Sequence, residues 1–206
     1  MTAAASDTLD DLIATVHWLG QQGWCPATGG NFSVRQDALR FLITASGRDK
    51  TKLARDDFLI APVAGELPRA PLTPSAEAAL HQMLYRLDAG IGCVLHTHTV
   101  AATVLSRKAQ DELRFSGYEM QKAISSNTTH AAELRLPVLE NTQDILALAQ
   151  IVSQRWTLAP LPYGFLVRGH GLYAWGANVA EARRHVEGWE FLFNCLLTEQ
   201  LLSIHA

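Results

Sequence analysis

The sequence is poor in cysteine and has no block rich in lysine and arginine. Its three cysteines, Cys25, Cys93 and Cys195, are an odd number without close pairs, which argues against a disulfide framework. Two of them lie in apolar surroundings, where buried thiols without chemistry are expected. The formal net charge is -3, and without a basic block a nucleic-acid or membrane-surface partner is disfavoured. A small-molecule partner is favoured instead.

Long apolar runs are also missing. None approaches the roughly 20 residues that a membrane-spanning helix needs. The segment from Met1 to Asp10 has neither the basic region nor the apolar core of a signal peptide, so we expect a soluble, cytoplasmic protein. The 206 residues contain no internal repeat and no low-complexity linker, which predicts one domain over residues 1–206.

Strand-like and helix-like patterns alternate along the chain. Apolar residues at helical spacing predict helices around residues 9–16 and 80–87 and a long C-terminal helix after Asn178. Short apolar runs bounded by turn residues predict buried strands. These runs are residues 41–44, 58–61, 91–95, 165–168 and 172–175.

Two helix starts carry capping signals. Thr73 followed by Pro74 resembles an N-cap with proline at the first helical position, which predicts that a helix begins there and ends near Gly90. Asn178 and Glu181 have the spacing of a capping box.

Two histidines end the strand predicted at residues 91–95. Residues i and i+2 of an extended segment project to the same side, so His96 and His98 can direct both imidazoles at one point. Such a pair can supply two ligands to a metal.

A catalytic zinc site needs about three protein ligands and one open position. His170 is the best third candidate, because the glycines on either side of it permit a sharp turn at a strand end. His17, His81, His130, His185 and His205 are weaker candidates, in helices, a polar loop and the C-terminal tail. Spacing alone is equally compatible with two half-buried polar residues on a strand and a hairpin turn.

Three segments can present backbone N–H groups and hydroxyls to a phosphate. They are Thr28-Gly29-Gly30-Asn31, Ser46-Gly47 and Thr73-Pro74-Ser75. Each alone is more often a turn without a ligand. Together with a candidate metal site, they favour a phosphorylated small substrate.

The order of these motifs, TGGN, SG, TPSAE, HTH and GHG, resembles the class II aldolase family over nearly the whole chain. Members of that family bind a divalent metal, usually zinc, through three histidines and act on sugar phosphates. The resemblance implies one zinc ion per subunit on His96, His98 and His170. It also implies phosphate binding by Gly30, Asn31, Ser46, Gly47 and Ser75. Many aldolases have a second serine where this chain has Ala76, so Lys50 and Lys52 are candidates for the missing donor.

Two glutamates compete for the acid–base role that the resemblance implies. Glu77 matches the aldolase position, and Glu119 matches the glutamate of the family's dehydratases. Segments such as GYEMQKAI and LPYGFLVRGHGLYAWG resemble those dehydratases, which predicts a hydro-lyase acting on a phosphorylated methylthio ketose. An aldolase or an epimerase of the fuculose- or ribulose-phosphate type is the alternative, and a non-catalytic metal-binding domain is a third.

The resemblance also predicts the architecture and the assembly. We expect an α/β protein with three α/β/α layers and a central, largely antiparallel sheet. Members are often tetramers with sites near subunit interfaces, so we expect a homo-oligomer. No nucleic-acid or membrane partner is expected.

Overall fold

The computed structural model describes residues 3–69, 71–125, 127–159 and 161–204. Within them the chain forms helices α1 (Ala3–Gln21), α2 (Ala78–Leu87), α3 (Val100–Lys108), α4 (Ile145–Leu158) and α5 (Val179–Ile204). The strands are β1 (Asn31–Arg35), β2 (Arg40–Thr44), β3 (Phe58–Pro62), β4 (Cys93–Thr97), β5 (Glu112–Phe115), β6 (Leu134–Leu139), β7 (Gly164–Val167) and β8 (Gly171–Gly176). Short 3-10 helices cover Arg55–Asp57 and Glu119–Ala123. In this described part, no helix is both long and apolar enough to cross a membrane.

The strands form one eight-stranded sheet in the order β3-β2-β1-β4-β8-β7-β6-β5. Every neighbouring pair is antiparallel except β6 and β7. The expected largely antiparallel sheet is therefore confirmed. Strands β1, β4 and β8 lie side by side in the middle of the sheet.

Each face of the sheet is covered by its own apolar cluster. Successive side chains of a strand point to opposite faces, so one strand contributes to both clusters. Phe41 and Ile43 belong to one apolar cluster and Leu42, between them, to the other. The first cluster includes side chains from α2 and α4, and the second includes side chains from α1, α3 and α5. The three cysteines are free thiols, as expected.

The predicted start of the second helix is wrong. Helix α2 begins at Ala78 with Glu77 at its N-cap, four residues beyond Pro74. Pro74 instead forms an antiparallel bridge with Ala45, and the carbonyl of Thr73 accepts a hydrogen bond from the N–H of Ser46 at 3.0 Å. Pairing with the end of β2 keeps this segment extended and overrides the local capping signal.

The other predicted elements are present with small shifts. Strands β2 and β3 cover the runs at residues 41–44 and 58–61. Strand β4 lies two residues later than predicted, so His96 is within it rather than behind it. The cap of α5 is confirmed, since the N–H of Glu181 donates to the side-chain oxygen of Asn178 at 2.9 Å.

Candidate metal centre

Three histidines meet at the end of β4. The Nε2 atom of His96 lies 2.7 Å from Nε2 of His98 and 3.3 Å from Nε2 of His170. His96 is in the strand and His98 directly follows it, so the alternation expected from the sequence does direct both rings to one point. The structure therefore brings together the three histidines singled out in the sequence.

A tight turn between β7 and β8 delivers His170. Gly169 has a positive φ of 64° there. A Cβ atom on Gly171 would lie 2.1 Å from the carbonyl oxygen of Thr97, so only glycine lets β8 approach β4 this closely. Glycine is thus favoured on both sides of His170, at position 169 by the positive φ and at position 171 by the close approach of two strands.

Glu77 is the fourth member of the group. Its Oε1 lies 3.1 Å from Nε2 of His170, and its Oε2 lies 3.4 Å from Nε2 of His96. One atom from each of the four residues lies within 4.8 Å of the others. We call these four residues, Glu77, His96, His98 and His170, the metal group.

The environment keeps His96 and His98 neutral. Burial, and then the neighbouring His98 and His170, lower the pKa of His96 well below its ordinary value. Burial, followed by His170 and Lys50, lowers the pKa of His98 to about 4. Because a carbonyl can only accept, His96 Nδ1 donates to the oxygen of Leu172 at 2.8 Å and leaves a lone pair on Nε2.

This donor set suits a divalent metal such as zinc. Zinc–nitrogen bonds of about 2.0–2.1 Å place the nitrogens of a tetrahedral site about 3.3 Å apart, which matches the separation of His96 and His170. Nε2 of His98 lies closer to Nε2 of His96, at the distance of a hydrogen bond, and a metal bound there would replace the proton that the two nitrogens share. Three imidazoles and one carboxylate therefore fit a metal site.

The other histidines are occupied elsewhere. His17 bonds to the carbonyl of Leu53, and His130 lies beside Glu119. His81 and His185 are buried with hydrogen bonds of their own. His205 lies outside the described residues.

A cleft of about 360 Å³ opens at the metal group. Its walls include His98 and His170, together with Pro26, Thr99, Val100, Thr103, Val104 and Gly169. The cleft is large enough for a small ligand, at the low end of the usual range of about 300–1,000 Å³.

The three segments expected to bind phosphate adjoin this region in different ways. Asn31 pairs with His96 across β1 and β4, and Gly30 precedes it at a positive φ of 82°. Ser46 and Gly47 form an exposed turn that the bridge between Ala45 and Pro74 ties to the Ser75 segment. The Ser75 hydroxyl accepts from the N–H of Glu77 at 3.3 Å.

The side chain of Asn31 is not turned toward solvent. Its amide nitrogen donates to Oε2 of Glu77, and its amide oxygen lies 2.5 Å from Nε2 of His81. Both ends of the amide are therefore engaged inside the protein, the nitrogen on Glu77 of the metal group and the oxygen on His81.

The two lysines proposed as extra donors behave differently. Lys50 is buried and donates to the carbonyls of Thr28 and Arg48, each at 2.8 Å, which ties the segment that begins at Thr28 to the residue directly after Ser46-Gly47. Lys52 is exposed and lies 3.5 Å from Asp49.

Glu119 is not part of the metal group. It lies in the 3-10 helix Glu119–Ala123 with a largely exposed side chain, and it pairs with Lys122 and with His130 at 3.3 Å. Its hydrogen bond with Lys122 lowers the pKa of its carboxyl. Of the two candidate glutamates, Glu77 is the one that lies beside the three clustered histidines, within reach of His96 and His170.

Two residues beside the metal group were missed in the sequence, Tyr173 in direct contact with it and His81 linked to it through Asn31. Tyr173, the partner of His96 in β8, stacks on its ring with centroids 4.0 Å apart. His81 follows Glu77 by four residues, the spacing at which helical side chains share a face, so helical periodicity could have associated the two. The contact of Tyr173 depends on strand register, which no local pattern specifies.

The chain belongs to the class II aldolase family. Residues 10–197 match the family described as Class II Aldolase and Adducin N-terminal domain.

Two relatives that are more than half identical to this chain have the same assigned name. The chain is 55% identical over 199 residues to a methylthioribulose-1-phosphate dehydratase of Pectobacterium carotovorum, covering 96% of this chain and 97% of that protein. It is 54% identical to the protein of the same name from Yersinia enterocolitica, covering 95% and 93%. Among solved structures, l-fuculose-1-phosphate aldolase from Thermus thermophilus superimposes with a TM-score of 0.79 at 28% identity, covering 97% of this chain and 98% of that one.

Proposed function

We propose that this protein is a metal-dependent hydro-lyase that converts 5-methylthioribulose 1-phosphate to 2,3-diketo-5-methylthiopentyl 1-phosphate and water, a step of methionine salvage. One observation carries the proposal. The metal group is complete in a chain about 55% identical, over nearly its full length, to proteins named methylthioribulose-1-phosphate dehydratase.

We propose zinc as the metal, one ion per subunit, held by His96, His98 and His170. When bound, a divalent metal supplies a Lewis acid that polarises the ketone oxygen at carbon 2 and so acidifies the proton on carbon 3. The hydrogen bond from His96 to the Leu172 carbonyl keeps its ligand nitrogen deprotonated and oriented.

The remaining chemistry requires proton transfers by carboxyl groups. A carboxylate removes the proton from carbon 3, and a carboxylic acid protonates the hydroxyl that leaves carbon 4. The enol left behind then becomes the second ketone. Glu77 and Glu119 are the proposed catalytic residues.

Glu119 can take part only if it comes close to a metal group. Its exposed position in its own chain is compatible with reaching the site of a neighbouring subunit, which agrees with the expected homotetramer. Mixing His170→Ala chains with Glu119→Gln chains tests this: each alone should be inactive, and mixed oligomers should regain activity if Glu119 acts across the interface. No recovery in demonstrably mixed oligomers would mean that Glu119 does not act in this way.

We propose that Gly30, Asn31, Ser46, Gly47 and Ser75 form the phosphate site. The bridge between Ala45 and Pro74 and the hydrogen bonds of Lys50 support this, because they join the three segments. The amide of Asn31 is already engaged, so backbone N–H groups and the hydroxyls of Ser46 and Ser75 are the better donors.

We also propose three features of the whole protein that were expected from the sequence. They are a single domain over residues 1–206, three α/β/α layers and a cytoplasmic location. Two apolar clusters with different helices support the layering.

The test of function is a turnover assay with three substrates. The zinc-loaded protein is given methylthioribulose 1-phosphate, fuculose 1-phosphate and ribulose 5-phosphate, and the products are identified. The proposal expects loss of water from the first and no carbon–carbon cleavage. Because the fuculose-1-phosphate aldolase shares this fold, aldol cleavage is the competing result. If the only products come from carbon–carbon cleavage or from inversion at a carbon, the dehydratase assignment is replaced.

A further inference from the structure

A buried chain of hydrogen bonds runs from the metal group into the core. Asn31 donates to Glu77 and faces His81 at 2.5 Å. The Nδ1 atom of His81 lies 2.7 Å from the Ser33 hydroxyl, which lies 2.8 Å from the Tyr85 hydroxyl. Asn31, Ser33, His81 and Tyr85 are each at most 3% exposed.

The direction of these bonds follows from the chemistry of the groups. A carboxylate can only accept, so the nitrogen of the Asn31 amide must face Glu77 and its oxygen must face His81. The Nε2 atom of His81 therefore carries a proton and donates to Asn31. Burial lowers the pKa of His81 to about 3, so the ring is neutral and its Nδ1 accepts from Ser33.

These hydrogen bonds join strand β1 to helix α2 beside the metal group. Asn31 lies in β1 opposite His96 of β4, whereas Glu77 and His81 lie at the start and in the first turns of α2. With Oε2 held by Asn31, Glu77 has Oε1 free to face His170 at 3.1 Å. Asn31 and His81 thus set the orientation of the Glu77 carboxylate, and neither of them lines the cleft.

We propose that His81 is a positioning residue, which acts through Asn31 to fix the carboxylate of Glu77 within the metal group. This inference deepens the proposed function and rests on it only for the turnover measurement. It assigns the side chain of Asn31 to Glu77 rather than to the phosphate.

The test compares two buried histidines. His81→Leu removes the donor to Asn31, and His81→Gln restores an N–H donor on a neutral side chain. His185→Leu is the matched control, because His185 is equally buried in α5 but bonds to Ser125 and the Trp175 carbonyl. The full-length variants are compared for Co²⁺ affinity by calorimetry without substrate, and for kcat and KM with methylthioribulose 1-phosphate.

In His81→Leu we expect Co²⁺ affinity and kcat each to fall about 10-fold, since partners behind metal-site residues typically contribute 10–100-fold. KM should change less than about 2-fold, because His81 bonds to the side chains of Asn31 and Ser33 and not to the Ser46 and Ser75 hydroxyls proposed to bind the phosphate. His81→Gln should recover most of the loss, and His185→Leu should match the wild type. Unchanged Co²⁺ affinity in His81→Leu, or an equal loss in His185→Leu, would overturn the proposal.

A second measurement needs no variant and covers the case in which His81→Leu does not fold. In nitrogen-15 spectra of the wild-type imidazoles, His81 should carry its proton on Nε2, and its signals should shift when Zn²⁺ is added while those of His185 stay in place. Signals of His81 that do not respond to Zn²⁺ refute the link. A wild-type protein that binds Co²⁺ but does not dehydrate the substrate would instead refute the proposed function, and the affinity comparison would still decide the role of His81.

Discussion

Glu190 gives the sharpest prediction about stability, because it is an acidic residue buried without a proper partner. It lies in α5 and is 1% exposed, and within the described chain neither carboxyl oxygen makes a hydrogen bond of normal geometry. Burial raises the pKa of Glu190 from its ordinary value of 4.5 to about 8, and the nearby hydroxyls of Thr99 and Thr97 offset only part of the effect. The proposed change is Glu190→Gln, which keeps the shape and removes the titration.

The size of the effect follows from proton linkage. Between pH 4.5 and about 8 the unfolded chain has lost a proton that the folded chain keeps. The stability contributed by the neutral carboxyl is therefore fully present below pH 4.5 and is lost as the pH rises through about 8. The interval of about 3.5 pH units, at 1.36 kcal/mol per unit, corresponds to about 5 kcal/mol.

The assay is urea unfolding of wild type and Glu190→Gln at equal protein concentration between pH 5 and pH 9. We expect the free energy of unfolding of the variant, relative to wild type, to increase by several kcal/mol over this range and to level off above about pH 8. Comparing the two proteins cancels the titration of groups that they share. Glu187→Gln, on the exposed side of the same helix, is the control. A difference between wild type and Glu190→Gln that does not change with pH would refute the reasoning.

Three further predictions concern the site. His170→Ala should lose zinc and activity together, and elemental analysis that finds full zinc in it would remove His170 from the ligands. Ser46→Ala should raise KM for the phosphorylated substrate with little change in kcat, whereas unchanged kinetics would place the anion elsewhere. Glu119→Gln should lower turnover roughly 100-fold or more at normal zinc content, as expected for general acid–base catalysis. If activity survives there and disappears in Glu77→Gln, Glu77 alone carries the proton.

The histidines could be predicted from the sequence because their geometry is local. Alternation in an extended segment is enough to bring His96 and His98 to one side, and the glycines around His170 permit a turn wherever they occur. That His170 would meet the other two depends on β8 pairing with β4, a contact between residues more than 70 positions apart. The sequence spacing made His170 the best third candidate, and the family resemblance implied that it joins His96 and His98.

The surroundings of Glu77 could not be predicted, for the same physical reason. The amide of Asn31 contacts Glu77 only because β1 pairs with β4 while α2 packs over them, and its place in a TGGN turn suggested an anion instead. At Pro74 the local signal gave the wrong answer, because a bridge to Ala45 outweighs a good capping sequence.

These differences bear on how one fold supports an aldolase and a dehydratase. The metal group is fixed by strand register and by buried hydrogen bonds, so the histidines and the positioned carboxylate are poorly suited to vary between reactions. The turn at Ser46 is exposed, and the side chain of Glu119 is largely exposed on its 3-10 helix. Since function depends on the site rather than the fold, we infer that the choice between cleaving a carbon–carbon bond and expelling water is made in these exposed segments. Exchanging the segment around Glu119 for its aldolase counterpart should then change the products while zinc binding stays intact.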